Sequence, residues 1–423
     1  YDPFMTTNDI ILAQLPVPEP VPRRSTGLAP LGPACLILHA GEGTARLAPL
    51  PLLRRGGDAQ LLDGLAALAP RVLGLSLDVW NVERSLALAA ALRTRCPDTA
   101  IWIGGPEVAA DSWFAADPGA PFDLAVNGEG EAAFAALLAA GPAGGPSGPS
   151  LPGIWRPGQP TTDAAPPLAE LSTVHDPYLA GLVTPEADGV VLAELWRGCR
   201  YRCAFCAYPQ GRRGHAAASR SEVQTRELFR WARAQDVREI YLLDPSLEQR
   251  SDLDGLLALL ADLQGDAPIP LFAELRAEAV TPAIASALAR AGVSMVETGL
   301  QTLTPEALAG MGRRLSPERF AAGLRALEDA GIRAKVDLML GLPGDTEEGL
   351  RRTLDFMTEL GAAENLQVFR TQVLPGTPLR ARAAGLGITW EQRPPYRIIE
   401  TPSWPAWQLS EAISLVEDAT GEA

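Results

Sequence analysis

Cysteine is scarce in this chain: five occur in 423 residues, at Cys35, Cys96, Cys199, Cys203 and Cys206. So few thiols in so long a chain exclude a disulfide framework as the source of stability. Basic residues are in deficit too, 36 Lys and Arg against 51 Asp and Glu, for a formal charge of −15. Such a surface argues against a nucleic acid held mainly by phosphate neutralisation. Its acidic excess serves solubility. No segment approaches the roughly 20 consecutive apolar residues of a membrane span, and Tyr1–Pro22 lacks the basic start and apolar core of a secretion signal. What is present is a hydrophobic fraction of 47%, enough to bury the cores of two ordinary domains. Three of the five cysteines also crowd into one short stretch, which points to metal ligation in a reducing compartment, so a cytoplasmic protein is expected.

Pattern along the chain predicts the organisation. Residues 1–34 are Pro-rich and aperiodic and read as a tail or surface strap. The apolar run Cys35–His39 predicts a strand, and Val72–Leu77, Ala100–Ile103 and Leu124–Val126 predict three more, with helical spacing between and after them. Strand–helix alternation with short connections predicts a parallel sheet covered on both faces over 35–140. Residues 141–187 open with the Gly/Pro/Ser run Gly141–Ser150 and read as a linker. Alternation resumes over 188–380, with six strands at Val190–Trp196, Glu239–Leu243, Pro270–Leu275, Ser294–Gly299, Ala334–Leu340 and Leu366–Val373. That is too little chain for a complete eight-fold barrel and predicts a partial (β/α)6 barrel. Residues 381–423 form a C-terminal extension.

The clustered cysteines follow the first of those six strands as C-x3-C-x2-C: Cys199, Cys203 and Cys206. Three thiolates can hold three irons of a cubane and leave the fourth iron open to a small chelating ligand. The amino and carboxylate groups of S-adenosylmethionine suit that iron. Phe205, between the second and third ligands, is placed to pack beside the cluster or the adenine. Zinc is the alternative; it needs a fourth ligand, and only His215 lies near in sequence. Cys35 and Cys96 are too few to hold an auxiliary cluster.

With its aromatic residue and its loop after a strand, the triad resembles the signature of the radical S-adenosylmethionine superfamily. The resemblance extends to later strand ends: Asp244 in YLLDPS, Glu274 and Arg276 in FAELRAE, Glu297 and Gln301 in VETGLQT, and Gly341-Leu342-Pro343-Gly344. It implies a [4Fe–4S] cluster on the three cysteines. It implies also that some of these strand-end groups bind the amine, carboxylate and ribose of S-adenosylmethionine, with Glu274, Glu297 and Gln301 leading and Arg313 on the carboxylate. Structural readings stand beside these: Glu274 and Arg276 can pair with each other, and Asp244 can cap the following helix.

Upstream, IWIGGPEV (101–108) and LAVNGEGEAAF (124–134) resemble the flavodoxin-like, cobalamin-binding Rossmann domain that precedes many radical S-adenosylmethionine barrels. Glycine-rich turns at the C-terminal strand ends of an open sheet make a crevice for a large flat ligand. The resemblance assigns close approach of the corrin to Gly104, Gly105, Gly128 and Gly130, and hydrogen bonds to Ser76 and Glu107. One branch of such domains places a histidine under the cobalt through D-x-H-x-x-G after the first strand. Here only His39 of that motif matches, and a strand-end imidazole is its other reading. An empty domain kept as scaffold is the alternative to bound cobalamin.

Together these resemblances imply an enzyme that methylates an unactivated carbon, a deoxyadenosyl radical abstracting hydrogen and methylcobalamin supplying the methyl. The substrate is expected to be a small metabolite or natural-product intermediate, with a peptide as a further option, lying between the domains. An external donor such as flavodoxin or ferredoxin supplies electrons. Tyr396 and Arg397 either close the substrate space or pack under the barrel. The alternatives are a radical cyclisation, rearrangement or crosslinking enzyme, and a non-catalytic cobalamin- or cluster-binding protein.

Overall fold

The computed structural model describes residues 9–17, 29–55, 57–140, 151–186, 188–208, 212, 215–265 and 267–420. The chain divides into two compact units, 1–187 with 210–224, and 188–209 with 225–423.

The first unit is built on a six-stranded sheet. Its strands are β1 (Ile10–Gln14), β2 (Arg46–Leu47), β3 (Val72–Ser76), β4 (Ala100–Gly104), β5 (Leu124–Val126) and β6 (Ile154–Trp155). The order is β2-β1-β3-β4-β5-β6, parallel except for β6. This is the flavodoxin-like order, whose switch point lies between β1 and β3. Helices α1 (Leu31–Ala40), α2 (Leu50–Arg55), α3 (Asp58–Ala67), α4 (Val82–Arg95) and α5 (Gly130–Ala140) connect the strands.

Three expectations are corrected here. The stretch read as a tail contains β1, a fully buried run IILA whose short length hid it among prolines. The run Cys35–His39 is not a strand but the second half of α1. Pro33, Ala34, Ile37 and Leu38 are buried, the spacing of one helix face, and a short apolar run does not by itself distinguish strand from helix. Residues 151–186 are not a free linker: β6 pairs with β5, and the Ala165 amide donates to the Asn127 carbonyl at 2.7 Å. The Gly141–Ser150 run lies outside the described residues.

In the second unit the strands are β7 (Val190–Ala193), β10 (Glu239–Leu242), β11 (Leu271–Glu274), β12 (Val293–Gln301), β13 (Arg333–Leu340) and β14 (Leu366–Arg370). All six are parallel and adjacent in chain order, with β7 and β14 at the two edges, so the barrel is open. Two-residue strands β8 (Trp196–Arg197) and β9 (Ala218–Ser219) fall in the second and first unit respectively. Helices α6 (Glu222–Ala234), α7 (Leu253–Gln264), α8 (Pro282–Arg290), α9 (Pro305–Gly310), α10 (Pro317–Asp329), α11 (Glu347–Glu359) and α12 (Pro378–Ala383) run between and after the strands. Several start on a hydroxyl cap followed by proline: Thr281 accepts from the Ile284 amide, Ser316 from Arg319 and Thr377 from Arg380. The cap satisfies an orphan amide, and proline at the first helical position sacrifices none.

Alternation along β13 sorts its side chains. Val336, Leu338 and Leu340 enter the core under the helices, which leaves Arg333, Lys335, Asp337 and Met339 on the inner face. The segment read as a C-terminal extension belongs to this same core. Strands β15 (Thr389–Trp390) and β16 (Ile398–Glu400) form a hairpin, and Trp404 with Leu409 and Ala412 of α13 (Ala406–Thr420) is fully buried in the barrel cluster. Tyr396 is buried under the Arg380 guanidinium, 5.1 Å from its ring. It packs and does not gate.

Candidate functional site

The cysteine loop follows β7 and is pinned by the protein itself. The Arg200 amide donates to Gln249 Oε1 at 2.7 Å and Gln249 Nε2 donates to the Gly198 carbonyl at 3.1 Å. The Ala204 amide donates to the Met311 carbonyl and the Leu379 amide to the Ala204 carbonyl, both at 2.9 Å. Arg276 crosses the loop. Its guanidinium lies 3.3 Å from the Tyr201 ring centroid and Nη2 approaches Cys203 Sγ at 3.4 Å. Tyr201 is held in turn by donating to Glu248 Oε1 at 3.0 Å. Burial pushes the Cys199 thiol above its ordinary value and Cys206 up to about 11. Such thiolates need a positive partner, which iron supplies.

The thiols are close enough to feel one another electrostatically. Among the described residues, however, no three His, Cys, Asp or Glu side chains converge as ligands of one ion would. Thiolates on three different irons of a cubane need no such convergence, whereas tetrahedral zinc does. His215 does not belong to this unit. The donor set fits the cluster better than zinc.

The same unit holds unsatisfied acceptors. Both Glu278 carboxylate oxygens and Gln301 Oε1 are buried without a hydrogen bond. Glu278 stands 3.9 Å from Arg276 Nη1 and 4.0 Å from Arg313 Nη2. Arg313 donates to the Gly299 carbonyl, and burial, then the neighbouring Arg276, lowers its pKa. Gln301 holds a φ of +70°, a strained conformation for a side chain of its kind. Buried acceptors call for donors, and the ammonium and ribose hydroxyls of S-adenosylmethionine are donors.

Deeper in the barrel Glu274 accepts from the Tyr241 hydroxyl at 3.2 Å and sits directly opposite Glu297. Burial first, then the Glu297 charge, pushes Glu274 up to about 7 and Asp337 up to about 8. The expected Glu274–Arg276 pair is absent among the described contacts, because Arg276 turns to Tyr201 and Cys203.

Asp244 is not brought to the site. It is fully buried, Oδ1 accepting the Leu195 and Trp196 amides at 2.9 and 3.0 Å and Oδ2 facing Arg250 Nη1 at 3.1 Å. It ties two strand ends together and caps no helix. Glu278, Asp337 and Lys335 were missed from sequence. Lys335 had a signal: it is the single lysine among the 36 Lys and Arg of the chain.

In the first unit a crevice of about 160 Å³ lies between the sheet and helices α1 and α5. Gly74, Ser76, Gly104, Gly105, Gly128 and Gly130 edge it, and Trp102, Phe134 and Leu36 make its walls. Gly105 and Gly128 have φ of +102° and +99°. A Cβ on Gly105 would lie 2.6 Å from the Leu77 carbonyl oxygen, so only glycine fits this turn. The predicted glycines and Ser76 meet at one opening. Glu107 does not; it is buried beside Asp78, whose pKa burial and the Glu107 charge raise to about 7. His39 ends α1 with Nδ1 buried and without a hydrogen bond, away from the crevice lining. Since β1 is the first strand, the histidine motif would follow Gln14, and residues 15–30 contain no histidine. The apolar slot with open glycine edges fits the nucleotide tail and rim of cobalamin.

Fold and site thus define a protein that joins a B12-binding domain to a radical SAM domain. Family models agree: residues 51–138 match the B12 binding domain and residues 194–357 the Radical SAM superfamily. The first match brings cobalamin with it; the second brings a [4Fe–4S] cluster and S-adenosylmethionine.

The chain is 28% identical over 343 residues to the cobalamin-dependent radical SAM methyltransferase TokK of Streptomyces tokunonensis, covering 76% of this chain and 49% of TokK. It is 28% identical over 390 residues to the 2-(S-pantetheinyl)-carbapenam-3-carboxylate methyltransferase of Streptantibioticus cattleyicolor, covering 84% and 56%. The chain therefore spans about half the length of the curated relatives it matches. Its fold is similar to that of the radical S-adenosylmethionine methyltransferase TsrM from Kitasatospora setae, with a TM-score of 0.72 at 18% identity, covering 94% of this chain and 82% of that one.

Proposed function

We propose that this protein is a cobalamin-dependent radical SAM C-methyltransferase acting on a small metabolite or natural-product intermediate. The observation that carries the reading is the pairing, in one chain, of a loop presenting Cys199, Cys203 and Cys206 with a glycine-edged slot in a flavodoxin-order sheet. When bound, the cluster supplies an electron for cleavage of S-adenosylmethionine and cobalamin supplies a methyl carrier.

In this reading each of the three cysteines binds one iron. Arg276 donates to the Cys203 sulfur, which stabilises its negative charge. Phe205 packs beside the loop. Glu278 and Gln301 accept hydrogen bonds from the methionine ammonium and ribose, and Arg313 faces the carboxylate. Glu274 lies deeper, opposite Glu297, where burial favours its protonated form. Gly104, Gly105, Gly128, Gly130 and Ser76 receive the cobalamin. The functional domains take residues 35–140 together with β1, and 188–380 together with the buried C-terminal segment. An external low-potential electron donor and a cytoplasmic location complete the proposal; among the described residues no helix is long and apolar enough to cross a membrane.

The test is anaerobic turnover of the reconstituted protein with trideuteromethyl S-adenosylmethionine and candidate substrates, read by mass spectrometry. A trideuteromethyl group gained on carbon supports methylation. An unlabelled change in substrate mass, with 5′-deoxyadenosine formed, refutes it.

A further inference from the structure

A cavity of about 1130 Å³ lies in the radical SAM unit. It opens beside Phe205 and Cys206 and runs along β13 and β14. Its apolar wall includes Met295, Met339 and Phe369. In a chain of charge −15, its charged lining is cationic: Arg333, Lys335, Arg370 and Arg397 against the single acid Glu364. Two of the four cations are already engaged. Arg397 pairs with Glu391 at 3.0 Å, and Arg370 Nε donates to the Ile398 carbonyl at 2.8 Å.

Lys335 is different. Everywhere else this protein uses arginine for its positive charge. A compact ammonium on a flexible stem fits a narrow interior where a planar guanidinium does not. Among the described residues its one hydrogen bond is long, Nζ to Gln367 Oε1 at 3.4 Å. Glu297 lies opposite it in register and Asp337 feels its charge, yet neither forms an ion pair with it. Two N–H donors are left for a ligand. Burial holds Glu274 and Asp337 near neutral protonation, which lessens their repulsion of an incoming anion.

We propose that Lys335 is the specificity-determining residue of this cavity and receives a carboxylate on the substrate, whose apolar body lies along Met295, Met339 and Phe369. The proposal rests on the radical SAM reading of the unit, since that reading makes the cavity beside Cys206 the substrate site.

The lone lysine supplies its own probe. Biosynthetic ¹³C-lysine labelling of the full, cluster-reconstituted protein marks Lys335 as the chain's single lysine and leaves its ammonium N–H donors intact. The pair of probe ligands is 4-phenylbutyrate and its neutral amide, with inorganic phosphate as a third arm. The acid is expected to shift the Lys335 resonance saturably, at least tenfold more tightly than the amide or phosphate. S-adenosylmethionine alone is expected to leave the signal in place. In Lys335→Met, whose cluster absorbance reports folding, equilibrium dialysis is expected to show at least a tenfold loss of phenylbutyrate binding.

An equal response to acid and amide, a response to neither, a preference for phosphate, or a full shift with S-adenosylmethionine alone overturns the proposal. Because 5′-deoxyadenosine formation is assayed on the same samples, failure of the radical SAM reading shows as absent cofactor cleavage, separately from the acid–amide comparison.

Discussion

Replacing Asp244 by asparagine asks whether this strand-end acid serves a cofactor or the fold. Its carboxylate is fully buried and meets two backbone amides and Arg250, itself only 2% exposed. Oδ1 takes both amides, so asparagine can keep them. What it loses is the charge facing Arg250. Stranding one half of a buried pair costs about 3–5 kcal/mol. Arg250 retains Asp252 at 2.9 Å, so roughly 2–3 kcal/mol is the expected cost. Asp244→Ala strands the two amides as well, adding about 1–3 kcal/mol for each. The Arg250 guanidinium lies 4.9 Å from the Trp196 ring, so anaerobic guanidinium unfolding followed by tryptophan fluorescence reads the change directly. The double variant Asp244→Asn, Arg250→Met is expected to recover part of the loss, because no charge is then stranded. An unchanged unfolding midpoint in Asp244→Asn together with lost S-adenosylmethionine cleavage refutes the structural assignment.

Other outcomes follow from the same geometry. Cys199→Ala, Cys203→Ala and Cys206→Ala are each expected to lose most of the iron–sulfur absorbance, while Cys35→Ala and Cys96→Ala keep it; iron and sulfide analysis decides. Gly104 has no positive φ, and a Cβ there makes only a 3.9 Å contact with Val126. Gly104→Val should therefore fold, fill the slot and weaken cobalamin binding at least tenfold with cluster content unchanged, as measured by bound corrin absorbance. Glu274 and Asp337 have folded pKa values raised from 4.5 and 3.8 to about 7 and 8. The native state thus binds more protons than the unfolded chain between about pH 4 and 8. Their contribution makes stability fall as pH rises through that window. Glu297→Gln removes the charge that raises both and is expected to flatten this slope; an unaltered denaturant midpoint profile against pH would falsify the coupling.

Legibility in the sequence tracked the range of the interactions. The cysteine triad was readable as a motif because its spacing lies within one loop. The six barrel strands were readable because each is an apolar run closed by a turn signal. Strand β1 was not, since five residues between prolines resemble a strap until β3 lies beside them. The apolar half of α1 was misread because a short run carries too few turns to declare its period. Gly104, Gly105, Gly128 and Gly130 were legible as turn glycines, and the fold brings them to one slot.

By itself, the sequence determined which chemistry-bearing residues stand together: three cysteines spaced C-x3-C-x2-C, and glycines where a strand must turn closely. Only the tertiary structure decided which polar groups are left to bind anything. Asp244 is consumed by amides 49 and 48 residues away, Arg276 is drawn to Cys203 across 73 residues, and Glu278 and Gln301 keep unsatisfied oxygens. Partners so distant in the chain meet only when parallel strands set them side by side. A side chain's availability is what remains after those meetings, and Lys335 remains available by that count.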